Sequence, residues 1–265
     1  MLFQDGFNGS IQSAWTITRP DTSFYTINAT GLDLRCSSLD IDVGPYNDAK
    51  NLFTIANPTP TNGDFVITMK FNSFIPADNN HAQVCIIVMD DEDNFVRANY
   101  GFINGARRAE FGKEVAAGWS SQQTALDLGT NAFFLRLTKT GKTYTQSYST
   151  NGTNYAKVNS SITFGDGSPA RLGFASVADP SESSHALIDS FTVEMPMVVT
   201  IKVASVQLSW LSATNITYQP QWASSLSPTN WVNLGSTVSG TGAILYVTDS
   251  TLDGVRKFYR VVVVP

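Results

Sequence analysis

The sequence predicts an all-β protein built as a sandwich or jelly roll, and three observations lead to this fold class. Only 15% of the 265 residues are charged, Ser, Thr and Asn are frequent, and the chain holds 19 Gly and 11 Pro. This usage is typical of strands joined by polar loops. Apolar and polar residues alternate with a period of two in many short runs, as in strands with one buried face. The sequence has no amphipathic helix pattern and no regular strand–helix alternation.

The alternating runs follow one another at short intervals from residue 65 onward. In FVITMKF (65–71), large apolar side chains alternate with Val66, Thr68 and Lys70. The turn signals TKTGKTY and STNGTNY separate later runs, and Gly141 and Gly152 supply the positive φ that tight hairpins need. We therefore predict a sandwich with short hairpins. The other runs of this kind span 81–89, 95–102, 133–139, 143–149, 171–176 and 186–194.

Near residue 195 the pattern changes, and MPMVVTIK indicates a linker or a crossing strand. We predict one large domain over 1–195 and a small fibronectin-type-III-like β domain over 196–265. The strands of the small domain are expected at 206–211, 216–223, 230–235, 243–248 and 256–264. Much of its core is expected to come from five aromatic residues, namely Trp210, Tyr218, Trp222, Trp231 and Tyr259.

Charge and hydropathy argue against two classes of partner. The net charge of −5 argues against nucleic acid, because binding it requires a basic surface that releases counterions. No stretch has the roughly 18–20 apolar residues that span a bilayer, so we expect no membrane insertion. The N-terminal MLFQDGFNGS lacks the pattern of a signal peptide. We expect an extracellular protein that has lost a leader, or one that reaches a cell or virion surface by another route.

The two cysteines, Cys36 and Cys85, are too few for a disulfide framework. Two buried thiols are the expected state, and one bridge between neighbouring strands is the alternative.

Four consecutive acids at 90–93 raise the question of a metal loop, a catalytic cluster or a turn. The run does not match the twelve-residue calcium loop, because no Gly stands at its sixth position and no Glu closes it. CIIVM precedes the acids and FVRANY follows them, so they fall between two strand-like runs. We predict a solvated hairpin turn whose charges also discourage edge-to-edge aggregation.

Three segments together resemble the concanavalin-A-like, laminin-G-like sandwich, and in particular the versions appended to bacterial glycoside hydrolases. They are DDEDNFVRANYGFINGARRAEFGKEVAAGWSSQ, FFLRLTKTGKTYTQSYSTNGTNYAKV and RLGFASVADPSESSHALIDSFTVE. The resemblance covers roughly residues 1–195, implies a jelly-roll fold and is only weakly specific to any ligand. The C-terminal domain resembles small β modules that are frequent at the C-termini of secreted bacterial proteins.

No known catalytic pattern is found in the sequence. Glycosidases on the resembled fold carry paired carboxylates in a Glu-x-Asp-x-x-Glu pattern, which does not occur here. The sequence also lacks a Gly-x-Ser-x-Gly elbow, a His-Glu-x-x-His motif, a phosphate loop and a Cys pair at metal spacing. We therefore expect a protein that is not an enzyme.

Two aspartates share their strand parity with apolar residues, Asp5 in LFQDGF and Asp189 in ALIDSFTVE. A buried, unpaired carboxylate costs several kcal/mol, so each must be exposed, hydrogen-bonded or metal-bound. The resemblance implies a structural Ca²⁺ that pins the terminal strands. The ligands would be the Asp189 side chain and the backbone carbonyls of Asp5 and Gly31, since oxygen ligation suits calcium. The alternative is an aspartate that caps a strand end by hydrogen bonds.

If the apolar faces form the core, the opposite faces of the strands carry planar hydrogen-bonding side chains suited to sugar hydroxyls. Trp119, in the predicted loop AAGWSSQ, would add an aromatic platform. The alternative is a solvated sheet face of charge pairs, with Trp119 in the core. The remaining members of this predicted ligand face are Lys70, Gln83, Arg97, Asn99, Arg108 and Glu110.

The leading functional interpretation is a non-catalytic, lectin-like carbohydrate-binding protein or accessory module whose partner is a glycan or polysaccharide. The second is a structural or adhesive protein, such as a virion decoration, fibre or cell-surface component, with other structural proteins as partners. The third is a glycoside hydrolase or lyase with an unrecognised site.

Overall fold

A computed structural model describes residues 1–36, 47–59, 63–77, 81–129, 132–177, 184–196, 205–227, 230–250 and 256–264. The chain divides into two compact units, Met1–Met197 and Val198–Pro265. The described residues form antiparallel sheets joined by turns, which confirms the predicted all-β sandwich class. Within those ranges, no helix could cross a membrane.

The described part of the first unit consists of sixteen strands, several of them ten residues long. In chain order they are β1 (Phe3–Asp5), β2 (Thr16–Thr18), β3 (Tyr25–Asn28), β4 (Gly31–Arg35), β5 (Leu52–Ala56), β6 (Phe65–Phe74), β7 (Ala82–Asp91), β8 (Asn94–Ile103), β9 (Ala106–Val115), β10 (Gly118–Ala125), β11 (Phe133–Thr140), β12 (Thr143–Ser149), β13 (Ala156–Lys157), β14 (Ile162–Thr163), β15 (Arg171–Val177) and β16 (His185–Glu194).

These strands form two sheets. The nine-stranded sheet has the order β13-β12-β11-β6-β16-β4-β3, with β1 also paired to β16 and β14 to β12. The seven-stranded sheet has the order β10-β9-β8-β7-β15-β5-β2. Strand β10 therefore forms one edge of the seven-stranded sheet.

The interlayer core follows the alternation in the sequence. The predicted inward set of β6, from Phe65 to Phe71 at every second position, is fully buried, and so are Val84, Ile86 and Val88 of β7. Aromatic rings fill the end of the core near β5 and β15, where Phe53 and Phe174 stack with centroids 4.9 Å apart. Burial of such side chains contributes roughly 1.5–3 kcal/mol each, which makes this layer the main source of stability.

Both cysteines are buried thiols that form no disulfide, as expected. The Cys36 thiol donates to the Gln83 carbonyl oxygen at 3.5 Å, and the Cys85 thiol donates to the Ala175 carbonyl oxygen at 3.6 Å.

The described part of the second unit has six strands in a two-stranded and a four-stranded sheet. The five aromatic residues predicted for its core are all half-buried. The rings of Trp210 and Tyr218 lie 5.9 Å apart, and Arg260 covers the ring of Trp231 at 4.2 Å. The strands are β17 (Ser205–Leu211), β18 (Thr217–Ala223), β19 (Val232–Asn233), β20 (Val238–Ser239), β21 (Ile244–Ser250) and β22 (Phe258–Val264).

Gly173 of β15 allows the close approach of β5, and replacing it tests this packing. A Cβ at Gly173 would lie 1.9 Å from the carbonyl oxygen of Phe53, so the backbone would have to move. We expect Gly173→Ala to lower the free energy of unfolding by about 3 kcal/mol or to prevent folding, as measured by urea denaturation. Gly105→Ala is the control, because its Cβ would meet nothing within 4 Å at a φ of +77°. It should cost only the strain of about 1–2 kcal/mol, and an equal loss in both variants would contradict the account.

Candidate functional site

The acidic run lies in a hairpin turn, as predicted. Asp91 pairs with Asn94 at the ends of β7 and β8, so Glu92 and Asp93 form the tip. Asp91 Oδ1 accepts hydrogen bonds from the Asp93 backbone N–H and from Asn94 Nδ2, both at 2.9 Å. Glu92 forms an ion pair with Arg19. The carboxylates of the hairpin therefore stabilise the turn and its contact with Arg19.

A cavity of about 400 Å³ lies beside this hairpin. Asp93 accepts a hydrogen bond from Asn47 at 2.9 Å within it, and Met89 is the only apolar residue among the described residues that line it. No described group of three or more His, Cys, Asp or Glu residues is placed to hold a metal ion. The cavity is acidic, but its carboxylates are largely committed to the protein itself. The other lining residues are Asp90, Asp91, Glu92 and Arg171.

Titratable groups with shifted pKa values lie at this end of the sandwich. Burial raises the pKa of Asp90, and the neighbouring carboxylate of Asp166 raises it further. Burial also raises the pKa of Tyr144, with smaller contributions from the charges of Asp90 and Asp166. Burial lowers the pKa of Lys139, whose Nζ donates to the Gly63 carbonyl oxygen at 2.8 Å. The Tyr144 phenol therefore stays neutral at physiological pH.

Four residues of the predicted ligand face form one polar network on the outer side of the seven-stranded sheet, and we call them the polar network. Asn99 Nδ2 donates to Gln83 Oε1 at 2.6 Å and to Glu110 Oε2 at 3.2 Å. Arg97 Nη2 lies 3.8 Å from Glu110 Oε2. Strand parity thus placed Gln83, Arg97, Asn99 and Glu110 correctly on one face.

Two residues of β10 tie the polar network to the edge of the sheet. Ser121 Oγ donates to Glu110 Oε1 at 2.8 Å, and Gln123 Nε2 donates to the same oxygen at 2.9 Å. The Glu110 carboxylate therefore accepts three hydrogen bonds in addition to the Arg97 charge. Hydrogen bonds of this kind offset the cost of burying a carboxylate.

The polar network is buried, which corrects the prediction of an open ligand face. Arg97 is 2% exposed and Asn99 is 0% exposed, so neither presents a free hydrogen-bonding edge to a ligand. The Arg97 guanidinium stacks 4.3 Å from the Trp119 ring, and Phe95 lies 5.9 Å away from the same ring. Trp119 is thus engaged in packing, which is the alternative that the sequence left open for it.

Two further positions, Lys70 and Trp119, differ from the prediction, whereas Arg108 lies on the predicted face. Lys70 lies on β6 in the nine-stranded sheet, so it does not share a face with the polar network. Arg108 lies on the same face of β9 as Glu110, but its Nε donates to the Ile103 carbonyl oxygen at 3.0 Å. Trp119 lies on strand β10, where a loop was predicted. The alternation of residues in a strand shows which face of the strand each residue lies on. It does not show which sheet the strand belongs to.

The polar network should contribute to the free energy of unfolding, and Glu110→Ala tests this. Glu110→Ala removes one partner of a buried ion pair and the acceptor of three hydrogen bonds, and breaking a buried pair in this way typically costs about 3–5 kcal/mol. We expect a loss of that size in the free energy of unfolding from urea denaturation. Lys142→Ala, at an exposed position outside the network, should change stability by less than about 0.5 kcal/mol. A Glu110→Ala protein as stable as the control would show that the network is energetically neutral.

The predicted calcium ligands lie around one bulge in β16. Asp5 pairs with Phe191, and the register of β16 shifts between Ile188 and Ser190, where Asp189 lies. A Cβ at Gly31 would be 2.3 Å from the Ile188 carbonyl oxygen, so β4 touches the bulge closely. The fold therefore brings the three predicted positions together.

The side chains at this bulge do not complete a calcium site. Asp189 Oδ2 lies 3.2 Å from Lys70 Nζ, so an ammonium already neutralises the one carboxylate that the prediction assigns. The Asp5 carboxylate instead accepts three hydrogen bonds, from the backbone N–H groups of Phe7 and Gln12 and from Trp15 Nε1. Calcium usually takes six to eight oxygens, so the described donor set is a poor fit. A calcium ion here stays a prediction of the resemblance.

A thermal melt tests the metal prediction. Because Lys70 neutralises Asp189, we expect the melting temperature in excess EDTA to equal that in millimolar CaCl₂. A calcium ion that binds the folded state alone would raise it. A clear fall in EDTA, reversed by added Ca²⁺, would establish the calcium prediction and contradict our expectation.

A second cavity, which we call the edge cavity, opens between the two layers where β10 forms the sheet edge. Its volume is about 280 Å³. Gln122 pairs with Phe111, and Ser120 pairs with Lys113, so all four side chains share the interlayer side of β9 and β10. The opposite wall comes from β14 and the residue before it. The lining residues are Phe111, Lys113, Ser120, Ser121, Gln122, Ser161, Ile162 and Thr163.

Hydrogen bonds to backbone atoms hold the rim of the edge cavity. Gln122 Oε1 accepts from the Ser160 backbone N–H at 3.0 Å, and Lys113 Nζ donates to the Thr163 carbonyl oxygen at 3.0 Å. No acceptor for Gln122 Nε2 is found in the described ranges, so this amide N–H₂ remains a donor for a ligand. The edge cavity thus combines an apolar inner wall with exposed hydroxyl, amide and ammonium groups.

Comparison with known proteins shows the fold of this chain. No family model and no curated protein sequence matches it. The GH43 protein BlXynB from Bacillus licheniformis superposes with a TM-score of 0.62 at 13% identity, over 73% of this chain and 39% of that chain. The xylan beta-1,4-xylosidase from Bacillus halodurans gives 0.59 at 13% identity, over 72% and 38%. A functionally unknown protein from Saccharomyces cerevisiae gives 0.55 at 12% identity, over 70% and 98%.

Identities this low establish a shared fold and nothing about activity. The chain spans about two fifths of the length of the GH43 proteins that it matches. The resemblance to β-sandwiches of glycoside hydrolases is therefore supported at the level of the fold, and the ligand and the catalytic state are not determined by it.

Sequence reasoning missed the residues of β10 that build both the network and the edge cavity. SSQQT has no apolar alternation, so no strand was predicted there, and AAGWSSQ was predicted to be a loop. The turn before β10 uses Ala116 and Ala117 at positive φ, which these residues rarely adopt. Neither a propensity nor a periodicity signal marks this strand.

Proposed function

We propose that this chain is a non-catalytic carbohydrate-binding protein or accessory module that holds a glycan in the edge cavity. The observation that carries the proposal is the composition of the cavity, with Phe111 and Ile162 inside and hydroxyl and amide groups at the rim. Ligand sites typically combine an apolar wall with a few placed polar groups. A sugar needs both, because its C–H faces are apolar and its hydroxyls require hydrogen-bond partners.

The polar groups of the rim suit vicinal hydroxyls. The Gln122 amide N–H₂ donates, while the Ser120 and Thr163 hydroxyls both donate and accept. With about 280 Å³, the edge cavity lies near the lower end of the ~300–1,000 Å³ range of ligand pockets. That size favours one terminal or branching sugar residue of a longer chain over a run of several residues.

The structural neighbours support the same class of partner. Two of them are described as a GH43 protein and a xylan beta-1,4-xylosidase, and this chain matches about two fifths of each. A sandwich of this fold is therefore found in carbohydrate-active proteins. A glycan or polysaccharide partner and an extracellular or surface location are the corresponding proposals for this chain.

An exposed apolar strip in the second unit favours a structural or adhesive role as the second candidate. Leu211 and Ile244 face each other across β17 and β21 and are 75% and 53% exposed. Tyr246, on the same face, is also exposed. Exposed apolar clusters commonly mark protein contacts.

A glycan array tests the proposed function. We expect the protein to retain at least one class of glycan and to release no reducing sugar from it. Gln122→Ala should weaken that binding about three- to tenfold, the equivalent of one hydrogen bond of about 0.5–1.5 kcal/mol. Gln123→Ala is the matched control, because the Gln123 side chain points to the opposite face and bonds Glu110.

Three other results would count against the proposal. Binding that Gln123→Ala removes and Gln122→Ala leaves intact would move the site to the polar network. Released sugar would show an enzyme. An array without any bound glycan, together with concentration-dependent oligomers in light scattering, would favour the structural role.

A further inference from the structure

The charged groups at the edge cavity are all cationic. Lys113 is the only charged residue among those that line the cavity. Lys157, on the outer face of the nine-stranded sheet, donates from its Nζ to Ser161 Oγ at 2.9 Å. The chain has 22 acidic and 17 basic residues, yet the residues that line this cavity include an ammonium group and no carboxylate.

Both ammonium groups bond to neutral oxygens of β14 and its approach. Lys113 Nζ donates to the Thr163 carbonyl oxygen at 3.0 Å, and Lys157 Nζ donates to the Ser161 hydroxyl oxygen. The structure gives neither lysine a carboxylate partner in its described ranges. An ammonium has three N–H donors, so each retains donors for a further acceptor.

Lys113 is the ammonium group that can meet a ligand in the cavity. Its side chain lies on the interlayer side of β9, as that of Gln122 does on β10. Lys157 pairs with Ser147, and Ser161 exchanges a hydrogen bond with the Thr145 hydroxyl at 2.9 Å, so Lys157 and Ser161 face the outer side of the nine-stranded sheet. An anionic group seated in the cavity would therefore meet donors from Lys113.

We infer that the edge cavity takes an anionic sugar, one that carries a carboxylate or a sulfate ester, in preference to its neutral counterpart. This inference rests on the proposed carbohydrate-binding function and adds the chemical class of the sugar. The cavity wall and the Gln122 amide would hold the ring, and Lys113 would pair with the anionic group. Charge-assisted hydrogen bonds are shorter and stronger than neutral ones, so the charge on the sugar should dominate selectivity.

The test compares one sugar chain with and without its charge. Hexagalacturonate and its fully methyl-esterified form have the same backbone, and a sulfated galactan beside its desulfated form separates sulfate from carboxylate. By titration calorimetry at low salt, we expect at least one anionic member to bind about tenfold more tightly than its neutral partner. Raising the salt concentration should reduce that difference, because the contacts are near the surface.

A lysine variant tests whether the charge in the cavity causes the preference. Lys113→Gln should abolish the preference for the anionic form. Lys142→Gln is the control, because Lys142 is exposed and does not line the cavity. Loss of the preference in Lys113→Gln, with Lys142→Gln unchanged, is the expected result.

Failure of this inference can be distinguished from failure of the proposed carbohydrate-binding function. Equal binding of charged and neutral forms that still depends on Gln122 would overturn the inference and leave the proposed function standing. A charge preference that Lys142→Gln reduces as much as Lys113→Gln does would also overturn it, because generic charge attraction would then explain the result. No binding of any of the four glycans, or of any glycan on the array, would overturn both proposals.

Discussion

The ion pair of Arg97 and Glu110 constrains where a ligand can bind on this sandwich. Two opposite charges sit on the outer face of the seven-stranded sheet with side chains only 3% and 6% exposed. Buried charges are tolerated only when their remaining hydrogen-bonding capacity is met. Glu110 achieves this with donors from Asn99, Ser121 and Gln123. The groups that would suit a sugar best are therefore already bonded to one another.

The side chains of β10 point alternately to the two faces of the sheet, so this strand has two roles. Its outward residues, Ser121 and Gln123, complete the shell of Glu110, while its inward residues, Ser120 and Gln122, line the edge cavity. Successive side chains of a strand point to opposite faces, so one uncharged polar strand can serve both a buried network and an open site. An unpaired sheet edge is usually a liability. Here its side chains reach across to the other layer, as Gln122 does to the Ser160 backbone.

The sequence predicted the class of fold and the direction of many side chains, because burial of one strand face imposes a period of two. The core set of β6, the acidic hairpin and the common face of Arg97 and Asn99 all follow from that period. Period two says nothing about what covers the other face, so the burial of Arg97 could not be anticipated. It also cannot tell the two sheets apart, which is why Lys70 was grouped with residues of the other sheet.

Other parts of the site depend on contacts that leave no local signal. Asp5 is satisfied by backbone and side-chain N–H groups two, seven and ten residues further on. From the sequence alone, its carboxylate in LFQDGF could equally be exposed, hydrogen-bonded or metal-bound. The edge cavity arises where β10 meets the approach to β14, about forty residues later, and its polar lining has no periodicity.

Chemical-shift mapping tests the location of the site most directly. If the edge cavity is the site, adding hexagalacturonate to ¹⁵N-labelled protein should shift the Gln122 side-chain amide and the backbone amides of Ser161 and Thr163. The Trp119 indole and Arg97 guanidinium signals should stay in place. Shifts confined to Trp119 and Arg97 would contradict the account, because they would show that the polar network opens to the ligand and that the sheet face is the binding site after all.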